Sequence, residues 1–186
     1  MAYWARVDEN DYYQETINFD PEGHFHESLI WRQIPENATE WLNDHIKVTA
    51  DNVLEADDLD HFKLALKGRV SGQRYVKENQ YLDITVSSGE TRFWIDRITL
   101  LLLSETKRAV TAGTLAVPLL WKVYDLSFVE LTESDIDTVI AAIMTNKQKS
   151  FKAEKATYDI IDAMTTVQEF VDCDIVTVYE EQYNLA

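Results

Sequence analysis

Along residues 12–19 hydrophobic and polar positions alternate. Tyr13, Glu15, Ile17 and Phe19 fall on one side, and Tyr12, Gln14, Thr16 and Asn18 on the other. A period of two marks a half-buried strand. Tyr3–Val7 precedes it, and the intervening Asp8-Glu-Asn-Asp11 is turn-rich, so the pair predicts a hairpin. Asp20-Pro-Glu-Gly23 breaks the second strand. Residues 24–35 read as extended, with Leu29, Ile30, Trp31 and Ile34 as packing positions.

The period lengthens after that. Asn37–Leu42 opens a short helix. Val53, Leu54, Leu59, Phe62 and Leu66 recur near helical spacing and predict a helix over 51–65, which Lys67-Gly68 would end. Ser71–Arg74 reads as a loop, and 75–80 lacks a clear period.

From Tyr81 the pattern sharpens. Tyr81–Val86 and Thr91–Ile95 predict a hairpin around Ser87–Glu90. Asp96 stands at an N-cap position before an apolar helix over 97–112, Gly113 stops that helix, and Pro118 keeps it from resuming. Trp121–Val123 and Phe128–Leu131 predict a second hairpin around Asp125-Leu-Ser127, with Trp121 supplying buried area. Thr132 and Asp135 form a capping-box pattern, with Asp where Glu is usual. A long helix follows from Glu133 to Met164, its stripe made by Ile136, Val139, Ile140, Ile143, Met144, Phe151, Tyr158 and Ile161. The polar gap at Asn146–Ser150 predicts a bend or exposed turn. Thr166 and Glu169 cap a further short helix, Ile175–Tyr179 reads as a last strand, and 180–186 as a loose tail. The fold class is therefore α+β. A β-rich N-terminal module (1–35) leads into an acidic linker or insertion with short helices (36–80). The C-terminal module (81–179) contains a helix, a β-hairpin and a long helix.

Composition narrows the partners more than the fold. A chain of 186 residues buries a core without covalent staples, and its single cysteine, Cys173, leaves no internal disulfide or cysteine-based zinc site. The formal net charge of −16 opposes binding to DNA or to an anionic membrane, so neither is expected as a partner. Such a charge also suits an acidic mimic of DNA, although the carboxylates form no regular array. Ile98–Leu103, the most apolar run, is too short to span a bilayer. The opening Met-Ala-Tyr-Trp-Ala-Arg lacks the charged and apolar regions of a secretory leader, which predicts a cytoplasmic protein.

Candidate chemistry is sparse. His24 and His26 share a strand face but lack a third ligand at a useful spacing. No Gly-x-Ser-x-Gly elbow occurs, and Asp172 and Asp174 disfavour a Cys173 thiolate. Asp57-Asp58-Leu-Asp60 lacks the glycine and terminal glutamate of a calcium loop and reads as a helix start. None of the glycines forms a phosphate cradle. No catalytic residue, cofactor or metal is assigned. Lys147, Lys149, Lys152 and Lys155 make a small basic cluster suited to an acidic neighbour, including another copy of the chain.

Taken in order, a helix near Asp96-Arg97, Trp121-Lys122, Phe128-Val-Glu-Leu-Thr132, a long helix with Phe151 and Ala153-Glu154, and Ile161-Asp-Ala-Met-Thr-Thr166 resemble the DUF4376 domain. That domain occurs at the C-terminal end of bacteriophage tail and tail-fibre-related proteins. At the second hairpin turn the family often has Asp-Gly, where this chain has Asp125-Leu126-Ser127. The opening Tyr3-Trp-Ala-Arg-Val-Asp-Glu-Asn10 is also similar to the start of small phage tail-associated proteins. The resemblance implies no catalytic residue. It implies a non-enzymatic tail component (fibre-attachment, adaptor or baseplate-periphery) that forms a homo-oligomer and contacts other tail or fibre proteins. Its expected location is the host cytoplasm during assembly and then the virion. A tail-fibre assembly chaperone is the alternative. A glycan-active enzyme using Asp57, Asp58 or Asp60 ranks behind both. The interface candidates are Tyr3, Trp4, Tyr12 and Tyr13 as exposed aromatics of the first hairpin, and Lys147, Phe151 and Lys155 on the long helix.

Overall fold

The structure is a computed structural model that describes residues 2–18, 20–22, 24, 29–42 and 46–186. It is α+β and divides into two compact units, each discontinuous in sequence. The first unit is Met1–Arg69 with Tyr158–Val178, and the second is Val70–Thr157 with Tyr179–Ala186. These units cut across the segments read from the pattern alone.

In the first unit, β1 (Tyr3–Val7), β2 (Tyr13–Ile17) and β3 (Ile30–Ile34) form an antiparallel sheet in the order β2-β1-β3. Alternation along β1 sends Ala5 and Val7 into the core. The β1–β2 turn is held by Asp8, whose Oδ1 accepts from the backbone N–H groups of Asn10 (2.9 Å) and Tyr12 (3.1 Å). The expected helix near Asn37 is a short 3-10 helix over Glu36–Trp41 that buries Ala38 and Trp41.

Residues 51–59, expected to be helical, instead complete a hairpin of β4 (Ile46–Val48) and β5 (Leu54–Ala56). Asn52 takes a left-handed conformation (φ 62°) at its turn, and asparagine tolerates that conformation. Asp58 Oδ1 accepts from Asp60 N–H (2.8 Å) at the start of α1 (Asp60–Asn79). This helix passes straight through Gly68, the expected stop, and through Ser71–Arg74, and ends at Asn79. Phe62, Leu66 and Val70 are buried at four-residue intervals along it, and such packing overrides the modest cost of a helical glycine. The rings of Trp41 and Phe170 flank Phe62 at 5.6 Å and 5.5 Å.

In the second unit, β6 (Tyr81–Val86) and β7 (Gly89–Trp94) form the expected hairpin. Helix α2 (Arg97–Thr111) is capped by Asp96, which accepts from Thr99 N–H at 2.7 Å. It ends in a Schellman motif: Gly113 (φ 70°) donates to the Val110 carbonyl and Thr114 to the Ala109 carbonyl. Strands β8 (Leu119–Lys122) and β9 (Phe128–Leu131) form the second hairpin. Ile84, Phe93, Ile95, Leu103, Leu131 and Val139 belong to the core beneath these elements.

Helix α3 (Glu133–Ala163) runs unbroken through Asn146–Ser150, where a bend or exposed turn was expected: no turn interrupts it, and Asn146 and Ser150 are buried. Besides Asp135 in its first turn, its buried positions are Ile136, Val139, Ile143, Asn146, Ser150, Ala153, Thr157 and Ile161, spaced by three and four. The polar gap is therefore the same buried stripe written in small polar residues. Each is satisfied: Asn146 Nδ2 donates to the Lys77 carbonyl (3.0 Å), while Ser150 and Thr157 donate to the carbonyls four residues back. Met144 and Phe151, expected on the packed stripe, are exposed.

Helix α4 (Val167–Asp172) opens with the expected Thr166–Glu169 capping box. Ile175–Tyr179, expected as a strand, begins helix α5 (Ile175–Leu185), and the expected loose tail is the end of that helix. The β-branched run Ile175-Val-Thr-Val178 favours a strand locally. Asp174 reverses the choice by accepting from the N–H groups of Val176 (3.2 Å) and Thr177 (3.4 Å) as an N-cap, and Ile175 and Tyr179 bury at helical spacing.

Candidate functional site

The interface residues read from the sequence lie in both units. Tyr3, Trp4, Tyr12 and Tyr13 are half-buried, not exposed as expected. The Tyr12 hydroxyl donates to Asp57 Oδ2 (2.9 Å), and the Lys47 ammonium lies 4.7 Å from the Tyr12 ring centroid and 3.1 Å from Asp57 Oδ1. The Tyr12 hydroxyl and then Lys47 hold the Asp57 carboxyl below the usual range, so it stays ionised as a structural anchor. Tyr13 accepts from the Thr16 hydroxyl (3.1 Å). Tyr3 and Trp4 lie on β1, the central strand of the sheet, and Tyr12 and Tyr13 are engaged by the contacts above within the first unit.

On α3, Phe151 is exposed and Lys155 lies one turn further on, while Lys147 is half-buried. The Arg74 guanidinium sits 4.8 Å from the Phe151 ring centroid and pairs with Glu78 (2.8 Å) and Glu154 (3.0 Å). Lys149 lies 4.5 Å from the Tyr183 ring centroid. Part of the basic cluster is thus used within the second unit, packing aliphatic stems and cationic heads over aromatic faces.

The outer face of β6–β7 carries the densest polar arrangement. Arg92 forks onto Asp83 through Nε (2.7 Å) and Nη2 (2.9 Å), and its guanidinium lies 4.2 Å from the Tyr81 ring centroid. Tyr124 packs against both Tyr81 (4.8 Å) and Trp94 (4.4 Å). An open groove of about 600 Å³ runs beside them, lined in part by Asp83, Glu90, Tyr124, Asp125 and Ser127. Arg92 depresses the Asp83 carboxyl, and the Ser127 hydroxyl and N–H depress that of Asp125. Both carboxylates are thus engaged by neighbours in this chain.

The remaining chemical candidates behave as structural groups. The half-buried Cys173 thiol is pushed up by burial and then by Asp174, which keeps it protonated. His26 and His45 lie outside the described residues, as does Phe25 between His24 and His26. Among the described residues, no three His, Cys, Asp or Glu side chains gather as a metal-ligand set, and no helix is long and apolar enough to cross a membrane.

Two other elements of the second unit carry exposed apolar side chains that the sequence pattern did not single out as exposed. On α2, Ile98 (69%), Leu101 (58%) and Leu102 (53%) are exposed, while Leu103 is fully buried. On the second hairpin, Leu120 and Phe128 are similarly exposed, as is Leu126 at its tip with φ 69°. The signal was present in the run Ile98–Leu103, which is apolar at every position but Thr99. A helix apolar on all sides has more hydrophobic surface than one core can cover.

These elements fall in one recognised segment: the family model described as "Domain of unknown function (DUF4376)" matches residues 62–177. The chain belongs to this family. The DUF4376 match begins at Phe62 inside α1, ahead of the hairpin at Tyr81, and takes in α2, both later hairpins, α3 and α4. No curated protein and no solved structure matches the chain.

Proposed function

We propose that this DUF4376 protein is a non-enzymatic structural component of a bacteriophage tail, at a fibre-attachment, adaptor or baseplate-periphery position. It works as a homo-oligomer through contacts with other tail or fibre proteins. Its path runs from the host cytoplasm during assembly to the virion. The observation that carries the reading is the exposed apolar surface of the second unit, on α2 and on the β8–β9 hairpin. Large aliphatic and aromatic side chains left in solvent on these two elements suit a subunit that is covered after assembly. The same segment bears the residues that resemble phage tail-associated proteins. The net charge of −16 directs the chain toward protein partners and away from nucleic acid and anionic lipid.

Quantitative mass spectrometry of purified particles of the encoding phage tests the reading. A tail component is found at a fixed stoichiometry to known tail subunits. Its absence from particles, together with abundance in the infected cell, overturns the reading in favour of an assembly chaperone.

A further inference from the structure

The apolar face of α2 has a sequence that is complementary to itself when the helix is reversed. We propose that α2 pairs antiparallel with α2 of a second copy of this chain, along a seam centred on Leu101. The inference deepens the homo-oligomer reading above and rests on it.

Positions four apart on a helix stack one above the other, about 6 Å along the axis. Arg97, Leu101 and Glu105 are related in this way, and all three are exposed. Ile98 and Leu102 lie beside them on the same side of α2. A two-fold axis through Leu101 sets each residue against the one equally far on the other side. Leu101 meets Leu101, and Arg97 of each copy meets Glu105 of the other, so two ion pairs bracket an aliphatic centre.

The charges have little competing use within the chain. Arg97 and Glu105 are two helical turns apart and cannot reach each other within one copy. Arg97 makes no ion pair among the described residues, and Glu105 has only a long, exposed approach from Arg108 at 3.4 Å. Asp96 holds the helix start and Gly113 its end, so α2 is a fixed element before any partner arrives.

Ile98, Leu101 and Leu102 offer roughly 300 Å² of apolar surface per copy, well under the ~800 Å² per partner of a standard stable interface. The pairing is accordingly weak in solution and rises with concentration. Sedimentation velocity of the full chain over a concentration series at physiological salt measures it, with circular dichroism confirming unchanged helicity in each variant. We expect self-association of the parent chain, weakened about tenfold or more by Leu101→Asp. Arg97→Glu and Glu105→Arg should each weaken it several-fold. The double variant in one chain should recover to within about twofold of the parent, because a symmetric seam accepts exchanged charges.

A chain that stays monomeric to about 100 μM overturns the proposal, as does association indifferent to Leu101→Asp. Loss in both single variants without recovery in the double variant shows that the copies do not meet in this antiparallel register and also overturns it. These failures are separable from failure of the tail reading: a monomeric chain present at stoichiometric level in particles removes the α2 seam alone.

Discussion

Replacing Asp135 should destabilise the second unit more than its place in a surface helix's first turn suggests. The carboxylate is buried and accepts four hydrogen bonds: Ser87 N–H (2.8 Å), the Ser87 hydroxyl (2.6 Å), Thr132 N–H (2.9 Å) and the Thr132 hydroxyl (2.7 Å). The Thr132 hydroxyl accepts in return from Asp135 N–H (3.2 Å), completing the capping box. One side chain therefore caps α3 and ties it to the β6–β7 turn. Asp135→Ala strands two backbone N–H groups and opens the cap; at about 1–3 kcal/mol per stranded donor, the loss is about 3–4 kcal/mol. Asp135→Asn keeps the shape but must aim its NH₂ at one of the two backbone donors, which costs about 2 kcal/mol. Urea unfolding followed by circular dichroism, with hydrogen exchange at Ser87 N–H as the local reporter, measures both. An alanine variant within about 1 kcal/mol of the parent, or an asparagine variant equal to it, refutes the reasoning.

The pH dependence of this site has a defined sign. Burial pushes the Asp135 carboxyl up, but the Ser87 and Thr132 hydrogen bonds outweigh it and hold the group well below the usual carboxylate range. A depressed folded value stabilises the ionised folded state. That contribution is complete above the unfolded value near 4 and is lost as pH falls toward the folded one. Asp135→Asn should flatten that part of the acid limb in a pH series of urea midpoints; an unchanged slope counts against the assignment.

Gly68 and Gly72 are exposed in α1 with ordinary helical backbone, and an added Cβ meets nothing within 4 Å. Each change to Ala should raise stability by about 0.5–1 kcal/mol in thermal or urea unfolding, and a loss would show that the helix uses the glycines. Leu126 holds φ 69° at the β8–β9 turn, a conformation glycine adopts without strain. Leu126→Gly should therefore stabilise the fold by about 0.5–1 kcal/mol, and a destabilised variant in the same unfolding assay contradicts the strain. Burial pushes the Tyr179 phenol up to about 12. A raised folded value means its contribution is full below the unfolded value near 10 and is lost as pH rises toward the folded one. Burial also raises the Tyr183 phenol, so an ultraviolet alkaline titration should show late phenols of which the latest disappears in Tyr179→Phe, and its persistence would reassign it.

Local signals determined much of this architecture. Asp96, Gly113, Thr132–Asp135 and Thr166–Glu169 marked helix ends correctly because capping is chemistry between residues a few positions apart. The three hairpins with clear alternation were legible for the same reason. The raised Cys173 thiol was legible only in part: burial is the larger cause, and Asp174, its sequence neighbour, adds to it. What only the tertiary structure decided depends on contacts distant along the chain. Gly68 stays helical because Phe62, Leu66 and Val70 bury along α1, and Asn146 belongs to a buried stripe because a Lys77 carbonyl receives its amide. Asp135 gained a second role when Ser87, far away in sequence, came to rest against it. The candidate surface divides in the same way. The apolar richness of α2 was written in Ile98–Leu103, but which leucines face the core and which face solvent was settled only by packing, where Leu103 is enclosed and Leu101 is left outside.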